Sequence, residues 1–462
     1  MSPPPAVPTR REEFRELWKL ALPIAIAQLG RSLMGFVDTA VLARAGTTSL
    51  SAGALSVALL ILTTGFGAGL VLGADPLVSQ SLGAGNPSRA RAYLWQGNYV
   101  AVVAGTLLSL AITGSVLLLP RLGVDFVELP EVQDYILWQA PSLPLMLLFI
   151  NTHTYLQALG RPHVLVVSTV LANLLNLMAD ILFVFGGAGL PAFFGPLRAV
   201  PAMGVKGAAL ATTLCCALQC AIVLWAVRRI PVSGEKPSRL PDRRILLQIL
   251  GLGLPIGLHI IADESFLAIV SVLARQLGPE SLGAHQLAVS FSIITFAVTM
   301  GISNAGSVRV GLAVGAGDLP LTKLRGGVAF VSGALFMGCS GLVFMFFPHA
   351  LARLIGAPAE VVPLLVPLLM VMAAFQLSDG VMAVGGGVLR GLGETRFTFV
   401  ANLAGHYLVG LPVGLFLGFG LNHGLQGLWW GVCAGLTAIA ACLVWRFTRL
   451  TAAPLQPLQA QV

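Results

Sequence analysis

The sequence predicts an all-α integral membrane protein, with twelve transmembrane helices in two six-helix lobes related by a parallel pseudo-twofold repeat. Three observations predict it. Only 10% of the 462 residues are charged and 56% are hydrophobic, against about 25% charged in an ordinary soluble domain. Apolar stretches of about 20 residues, enough to cross a hydrocarbon core of about 30 Å, recur along the chain. The first two spans of the first half also lie on the second half at one offset with no gap. So little charge cannot coat a soluble surface of this size, which excludes one or two soluble domains.

The elements follow in order. Residues 1–16 carry four prolines and open MSPPPAVPTRREEFRE; they read as a disordered cytoplasmic lead rather than a signal peptide. An N-lobe over 17–229 holds spans centred near residues 30, 64, 106, 146, 175 and 216. The longest polar interruption, RRIPVSGEKPSRLPDRR at 228–244, places a cytoplasmic inter-lobe loop at 230–245. A C-lobe over 246–447 holds spans near 259, 297, 336, 375, 408 and 436, and 448–462 is a cytoplasmic tail. Gly and Pro interrupt most spans, as membrane helices tolerate.

The repeat rests on identities at an offset of 232 residues. Pro23 meets Pro255, Ile24 meets Ile256, Gly46 meets Gly278, Ala52 meets Ala284 and Gly69 meets Gly301. The GAG at 83–85 meets the GAG at 315–317, and later, at an offset of 233, LQALG at 156–160 is echoed by LRGLG at 389–393. Six spans per repeat is an even number, so both halves enter the membrane in the same sense, and a central site between the lobes is expected. With the N-terminus inside, twenty of the 27 Lys and Arg residues fall on the cytoplasmic side. The chain is therefore expected to be multi-pass in a bacterial inner (plasma) membrane with both termini cytoplasmic.

The excess of 27 basic over 19 acidic residues reflects that asymmetry, not a nucleic-acid surface. Cys215, Cys216, Cys220, Cys339, Cys433 and Cys442 lie in apolar stretches without zinc spacing, so they read as small core residues. No GxxxxGK[ST], HExxH or GxSxG occurs, which argues against ATP hydrolysis and against a membrane-embedded enzyme. No cofactor and no tightly bound metal are expected.

An ionisable group at bilayer depth costs at least about 2.5–3.5 kcal/mol, so each is a functional candidate. Span 1 carries Arg31 and Asp38, span 5 Asp180, span 7 Asp263 and Glu264, and span 10 Asp379. Asp75 stands near the end of span 2 and reads as a cap or snorkelling carboxylate. Asp38 reads either as a partner of Arg31, seven residues away, or as a carboxylate that loads and releases a cation. Asn176 and Asp180 share a face at i, i+4 and supply oxygen ligands suited to Na⁺ or a proton. Asp263 and Glu264 are neighbours, about 100° apart on a helix, so only one is expected to face the lobe interior. Asn173, His153, His259, His285 and His406 read as packing residues. Pro23 and Pro255 remove backbone hydrogen bonds at matched positions and predispose spans 1 and 7 to bend.

The stretches LALPIAIAQLGRSLMGFVDTAVLARAG (20–46), LVSQSLGAGN (77–86), LGLPIGLHIIADESFLAIVSVLARQLGPESLGAHQLA (252–288), SVRVGLAVGAGD (307–318) and FQLSDGVMAVGGGVLRGLGETR (375–396) resemble multidrug and toxic compound extrusion (MATE) transporters of the NorM-like bacterial branch. The resemblance covers residues 15–447. It implies a V-shaped cleft between the lobes and export of cationic or amphiphilic drugs and metabolites in exchange for Na⁺ or H⁺. By resemblance, Asp38, Asn176 and Asp180 form the N-lobe cation site. Glu264, rather than Asp263, and Asp379 are the C-lobe acids, and Pro23 is where span 1 bends. A coupling Na⁺ is expected at Asp38, Asn176 and Asp180, or at Glu264 and Asp379.

Two departures stand out. The family often carries Tyr one turn before the span-10 acid, where this chain has Phe375, and Arg31 occupies a place more usually uncharged. Both bear on the coupling ion and on which substrates enter. The leading expectation is a secondary antiporter working by alternating access, as a monomer among membrane lipids, with organic cations as substrates. The alternatives are a lipid-linked precursor flippase of the same superfamily, which wants several inward arginines where only Arg31 lies deep, and a membrane-embedded enzyme.

Overall fold

A computed structural model describes residues 8–123, 126–189, 192–231 and 239–458, apart from the side chains of 192–194. Residues 1–7 of the expected lead, 232–238 of the inter-lobe loop (with Lys236) and 459–462 of the tail lie outside the described residues. The chain is all-helical, with no strand among the described residues. In order it forms α1 (Arg10–Ala45), α2 (Thr47–Leu72), α3 (Ala74–Gly83), α4 (Pro87–Leu118), α5 (Leu129–Gln139), α6 (Ser142–Ala158), α7 (His163–Phe185) and α8 (Val205–Arg228). There follow α9 (Arg243–Gln276), α10 (Pro279–Gly315), α11 (Leu319–Phe346), the short α12 (Pro348–Leu354), α13 (Val362–Leu392), α14 (Thr395–Ala404), α15 (Leu411–Leu415) and α16 (Gly424–Leu450).

Among the described residues, eleven helical stretches are long and apolar enough to cross a membrane, with α2 running on into α3 and α14 running on through α15. The twelfth segment, the expected fourth span, is broken. Pro141 and Pro144 have no N–H, so the carbonyls of Leu137 and Ala140 lose their helical donors. Ala140 and Pro141 nevertheless keep right-handed helical dihedrals, so α5 and α6 follow one another through a kink. Ser109 on α4 donates to the freed Ala140 carbonyl at 2.8 Å. Gly105 lets α4 lie directly on Pro144, where a Cβ would strike backbone.

The chain divides into two compact units. One comprises Ile26–Ala74 and Pro87–Gly257; the other comprises Met1–Ala25, Asp75–Asn86 and Leu258–Val462. The continuous helices α1 and α9 are partitioned at Ala25/Ile26 and Gly257/Leu258, two residues after Pro23 and Pro255. The two division points are related by the repeat offset of 232.

In the first unit, α7 packs on α8, α4 on α6 and α6 on α8. Gly69 and Gly73 bring α2 against the start of α9 so closely that a Cβ on either would meet the backbone of Gly257 or Gly253. Asn151 ties α6 to α4, donating to the Leu94 carbonyl at 3.0 Å and to Asn98 Oδ1 at 2.8 Å. Buried Arg91 donates to the carbonyls of Val227 and Ile230, both at 3.1 Å, and so caps the end of α8.

In the second unit, α13 is the central helix, packed on α10, α11 and α16. Gly301 on α10 meets Ala21 and Ala25 of α1, repeating in this unit the contact of Gly69 with Gly257 in the other. Asp75 is 2% exposed and paired with Arg390 at 3.0 Å, so it is a buried ion-pair partner and not the cap or interfacial carboxylate its position suggested. Glu13, 1% exposed, is paired with Arg309 and lies 3.6 Å from Arg325.

The repeat extends to the backbone. Gly46 and Gly278, Gly85 and Gly317, and Gly160 and Gly393 all adopt positive φ in matched pairs. An L side chain is strained at such angles, so identical turns account for identical glycines. Leu107, Leu110, Met178 and Leu408 remain 61–76% exposed, the surface expected of helices solvated by lipid tails. Cys339 and Cys442 are exposed among them and are not core residues; the other four cysteines are buried.

Candidate functional site

The first unit gathers its deep polar groups where α1, α7 and α8 meet. The i, i+4 spacing of Asn176 and Asp180 places both on the buried face of α7, at 1% and 0% exposure. Asn176 Nδ2 donates to Asp38 Oδ1 at 2.9 Å, and Thr212 Oγ1 on α8 donates to Asp38 Oδ2 at 3.3 Å. Asp180 abuts Asp38 and Asn176 without a well-formed hydrogen bond at either carboxylate oxygen, and Asn176 Oδ1 is also unpartnered. Three buried acceptor oxygens and a second carboxylate therefore face one another with too few donors. Such a set accommodates a proton or a hard cation. Thr212 was not anticipated from the sequence, because a lone Thr in an apolar helix usually bonds back to its own helix, as this one also does to the Ala208 carbonyl.

Arg31 makes no ion pair with Asp38, so the reading of Asp38 as its structural partner is not realised. Asn173 donates to the Thr169 carbonyl at 2.9 Å and serves its own helix, as expected.

The second unit holds a different arrangement around α9. Asp263 Oδ1 accepts from Asn402 Nδ2 at 2.6 Å and lies 3.1 Å from His406 Nε2, and Asp263 Oδ2 lies 3.3 Å from His259 Nε2. Tyr407 donates to the Ala262 carbonyl at 3.1 Å, and Phe266 stacks on the His406 ring at 4.3 Å. Pro412 cannot donate to the helix, and the preceding turn widens to a π segment, Gly405–Gly410, in which the Leu411 N–H reaches the His406 carbonyl. The widened turn therefore begins beside a residue that touches the acid.

Glu264, the acid expected from the resemblance, is exposed and takes no side-chain hydrogen bond among the described residues. Its neighbour Asp263 is the one held by side chains of two helices. The reason is the rotation of about 100° between adjacent helical residues, which sequence alone could not orient. His259 and His406 are likewise more than packing residues. The His259–x₃–Asp263 spacing was the signal in the sequence that pointed to this contact.

Asp379 is 5% exposed on α13 and stands within electrostatic reach of Asp263. Phe375, one turn earlier, packs edge-on against Trp429 at 5.5 Å. Trp429 in turn donates to His285 Nδ1 at 3.2 Å, and Ser271 lies 2.8 Å from His285 Nε2. Phe375 thus belongs to an apolar layer. His285 and His153, the latter bonded to Gln157 at 3.0 Å, are satisfied packing histidines. Pro23 and Pro255 lie within continuous helices. Among the described residues no group of three or more His, Cys, Asp or Glu has the geometry of a metal site.

The MatE family model matches residues 23–182 and 255–416, two stretches that begin 232 residues apart at Pro23 and Pro255. The chain is 33% identical over 452 residues to the "Probable multidrug resistance protein NorM" of Rhodopseudomonas palustris, covering 96% of this chain and 93% of that protein. It is 29% identical over 454 residues to the "Multidrug resistance protein MdtK" of Yersinia pseudotuberculosis, covering 96% of each. Among solved structures, the fold superposes on a eukaryotic MATE transporter with a TM-score of 0.82 at 20% identity, over 95% of this chain and 96% of that one. It superposes on an outward-facing MATE family transporter with a TM-score of 0.83 at 18% identity, over 95% and 96%. By sequence along most of its length and by fold, the chain belongs to the MatE family, and it is a multi-pass membrane transporter rather than an enzyme.

Proposed function

We propose that the chain is a secondary antiporter that exports cationic or amphiphilic small molecules in exchange for Na⁺ or H⁺ by alternating access. The observation that carries this reading is the donor-poor cluster of Asp38, Asn176 and Asp180, in which buried oxygens lack partners. Two charged carboxylates side by side at bilayer depth are costly, so a cation or proton binds there favourably. A cationic substrate competes for the same charge. Two ligands that favour different states and share one site exchange across the membrane, because each shifts only the equilibrium it binds differently.

The second unit contributes Asp263 and Asp379. Asp263, held by Asn402, His259 and His406, is equipped to pass or hold a proton, while Asp379 supplies a second buried charge. Pro23 and Pro255 free the carbonyls of Lys19 and Gly251 and are the positions where α1 and α9 bend between states. The chain acts in the bacterial inner membrane, with both termini in the cytoplasm. It needs no cofactor and works as a monomer.

The test is efflux of a fluorescent lipophilic cation from proteoliposomes under a Na⁺ gradient and a pH gradient imposed separately. Transport driven by one gradient and abolished in Asp38→Asn supports the reading. Transport indifferent to both gradients removes it.

A further inference from the structure

Arg31 is a partly buried guanidinium in the first unit that makes no ion pair and no hydrogen bond among the described residues. A permanent cation at bilayer depth with no counter-charge is costly, and its planar fork is matched best by a carboxylate.

The surroundings define its place. Arg31 and Asp38 are seven residues apart, so they leave the same side of α1, separated by about 10.5 Å along the axis. Thr212 and Cys216 share a face of α8 at i, i+4. Thr212 donates to Asp38, and Cys216 lies within electrostatic reach of Arg31. The facing stretches of α1 and α8 therefore run in opposite directions, with the acid at one end and the guanidinium at the other. A third neighbour, His153 on α6, also lies within reach of Arg31. Its Nδ1 lies 3.0 Å from the Gln157 amide nitrogen, so that ring nitrogen is already engaged within α6. Among the described residues no carboxylate pairs with the cation, and the nearest acid on its own helix, Asp38, is directed to Asn176 and Thr212.

We propose that Arg31 docks a carboxylate on the transported molecule, so that the first unit takes zwitterionic amphiphiles with their cationic end at Asp38 and Asp180 and their anionic end at Arg31. This rests on the transport reading above and names the substrate class of that site.

Two dyes of one scaffold test it: rhodamine 110, a free acid, and rhodamine 123, its methyl ester. Binding to the purified full-length protein is followed by fluorescence polarisation. The expected result is that Arg31→Gln weakens rhodamine 110 by at least about tenfold, the loss of one charge-assisted hydrogen bond. Rhodamine 123 is left unchanged or bound more tightly, and Arg31→Lys keeps much of the affinity for the acid. An equal effect on both dyes, or no effect on either, overturns the proposal. If the wild type binds the ester and not the acid, the zwitterion inference falls and the transport reading stands. If it binds neither dye, both fall.

Discussion

Ser307 Oγ donates to Asp75 Oδ2 at 2.7 Å, and the two residues are 232 positions apart, the offset of the repeat. Equivalent positions of the two halves therefore touch each other inside one compact unit. The contact is part of a larger network. Arg390 Nε reaches the same oxygen at 3.0 Å, and its other end donates to Asn304 Oδ1 at 2.7 Å. Every member but one carboxylate oxygen of Asp75 is satisfied.

Removing Asp75 leaves Arg390 buried and unpaired, and breaking such a pair costs about 3–5 kcal/mol. Asp75→Ala is therefore expected to lower the melting temperature sharply in detergent. Asp75→Ala with Arg390→Leu is expected to recover most of the loss. A double variant no more stable than the single one would show that the pair is not the source of the defect.

The Asp38 cluster gives the opposite sign. Asp180 is fully buried with no donor on either oxygen among the described residues, so Asp180→Asn removes a charge that is held at a cost. The variant is expected to melt at or above the wild-type temperature while gradient-driven efflux falls to the level of empty liposomes. Thermal unfolding and transport on the same preparation separate the two effects. A variant that is both unstable and inactive counts against the cluster as a coupling site.

Asp263 and Glu264 are adjacent in sequence and differ completely in contacts. Asp263→Asn is expected to reduce transport at least tenfold, and Glu264→Gln to leave it within a factor of two. His406→Gln removes the ring stacked on Phe266 but keeps an amide donor for Asp263, and so changes the clamp on that acid. It is expected to lower the initial rate of transport by less than Asp263→Asn does, measured in the same proteoliposomes. Equal effects of Asp263→Asn and Glu264→Gln would return Glu264 to the site.

Close helix contacts make a fourth contrast. A Cβ at Gly69 strikes the backbone of Gly257, whereas nothing lies within 4 Å of one at Gly327. Gly69→Val is expected to cost about 1–3 kcal/mol or more through overpacking, and Gly327→Ala to be neutral in expression and thermal stability. Comparable yields for the two variants would mean that α2 and α9 separate easily.

Much of the molecule was legible beforehand, for reasons of solvent. Lipid offers no hydrogen bonds, so each span must satisfy its own backbone and declare itself as an apolar run. The repeat was visible because its glycines sit at turns with positive φ, where composition is least free. The fourth span was legible as a crossing but not as two helices, since a proline kink depends on whether a neighbour such as Ser109 supports the freed carbonyl. The acids were legible because charge is costly at depth. Their partners were not, because Thr212, Asn402 and His406 lie on other helices.

The sequence by itself determined that the chain crosses the membrane, that its halves are copies, and which residues carry charge inside the bilayer. Those follow from composition, period and offset, which are local or linear properties. The tertiary structure decided which of two adjacent acids is held, that Arg31 stands apart from Asp38, that Asp75 is a buried ion-pair partner, and that α1 and α9 are each divided between two compact units. Such outcomes depend on helix rotation and on contacts between residues more than a hundred positions apart, and no pattern along the chain encodes the angle at which one helix meets another.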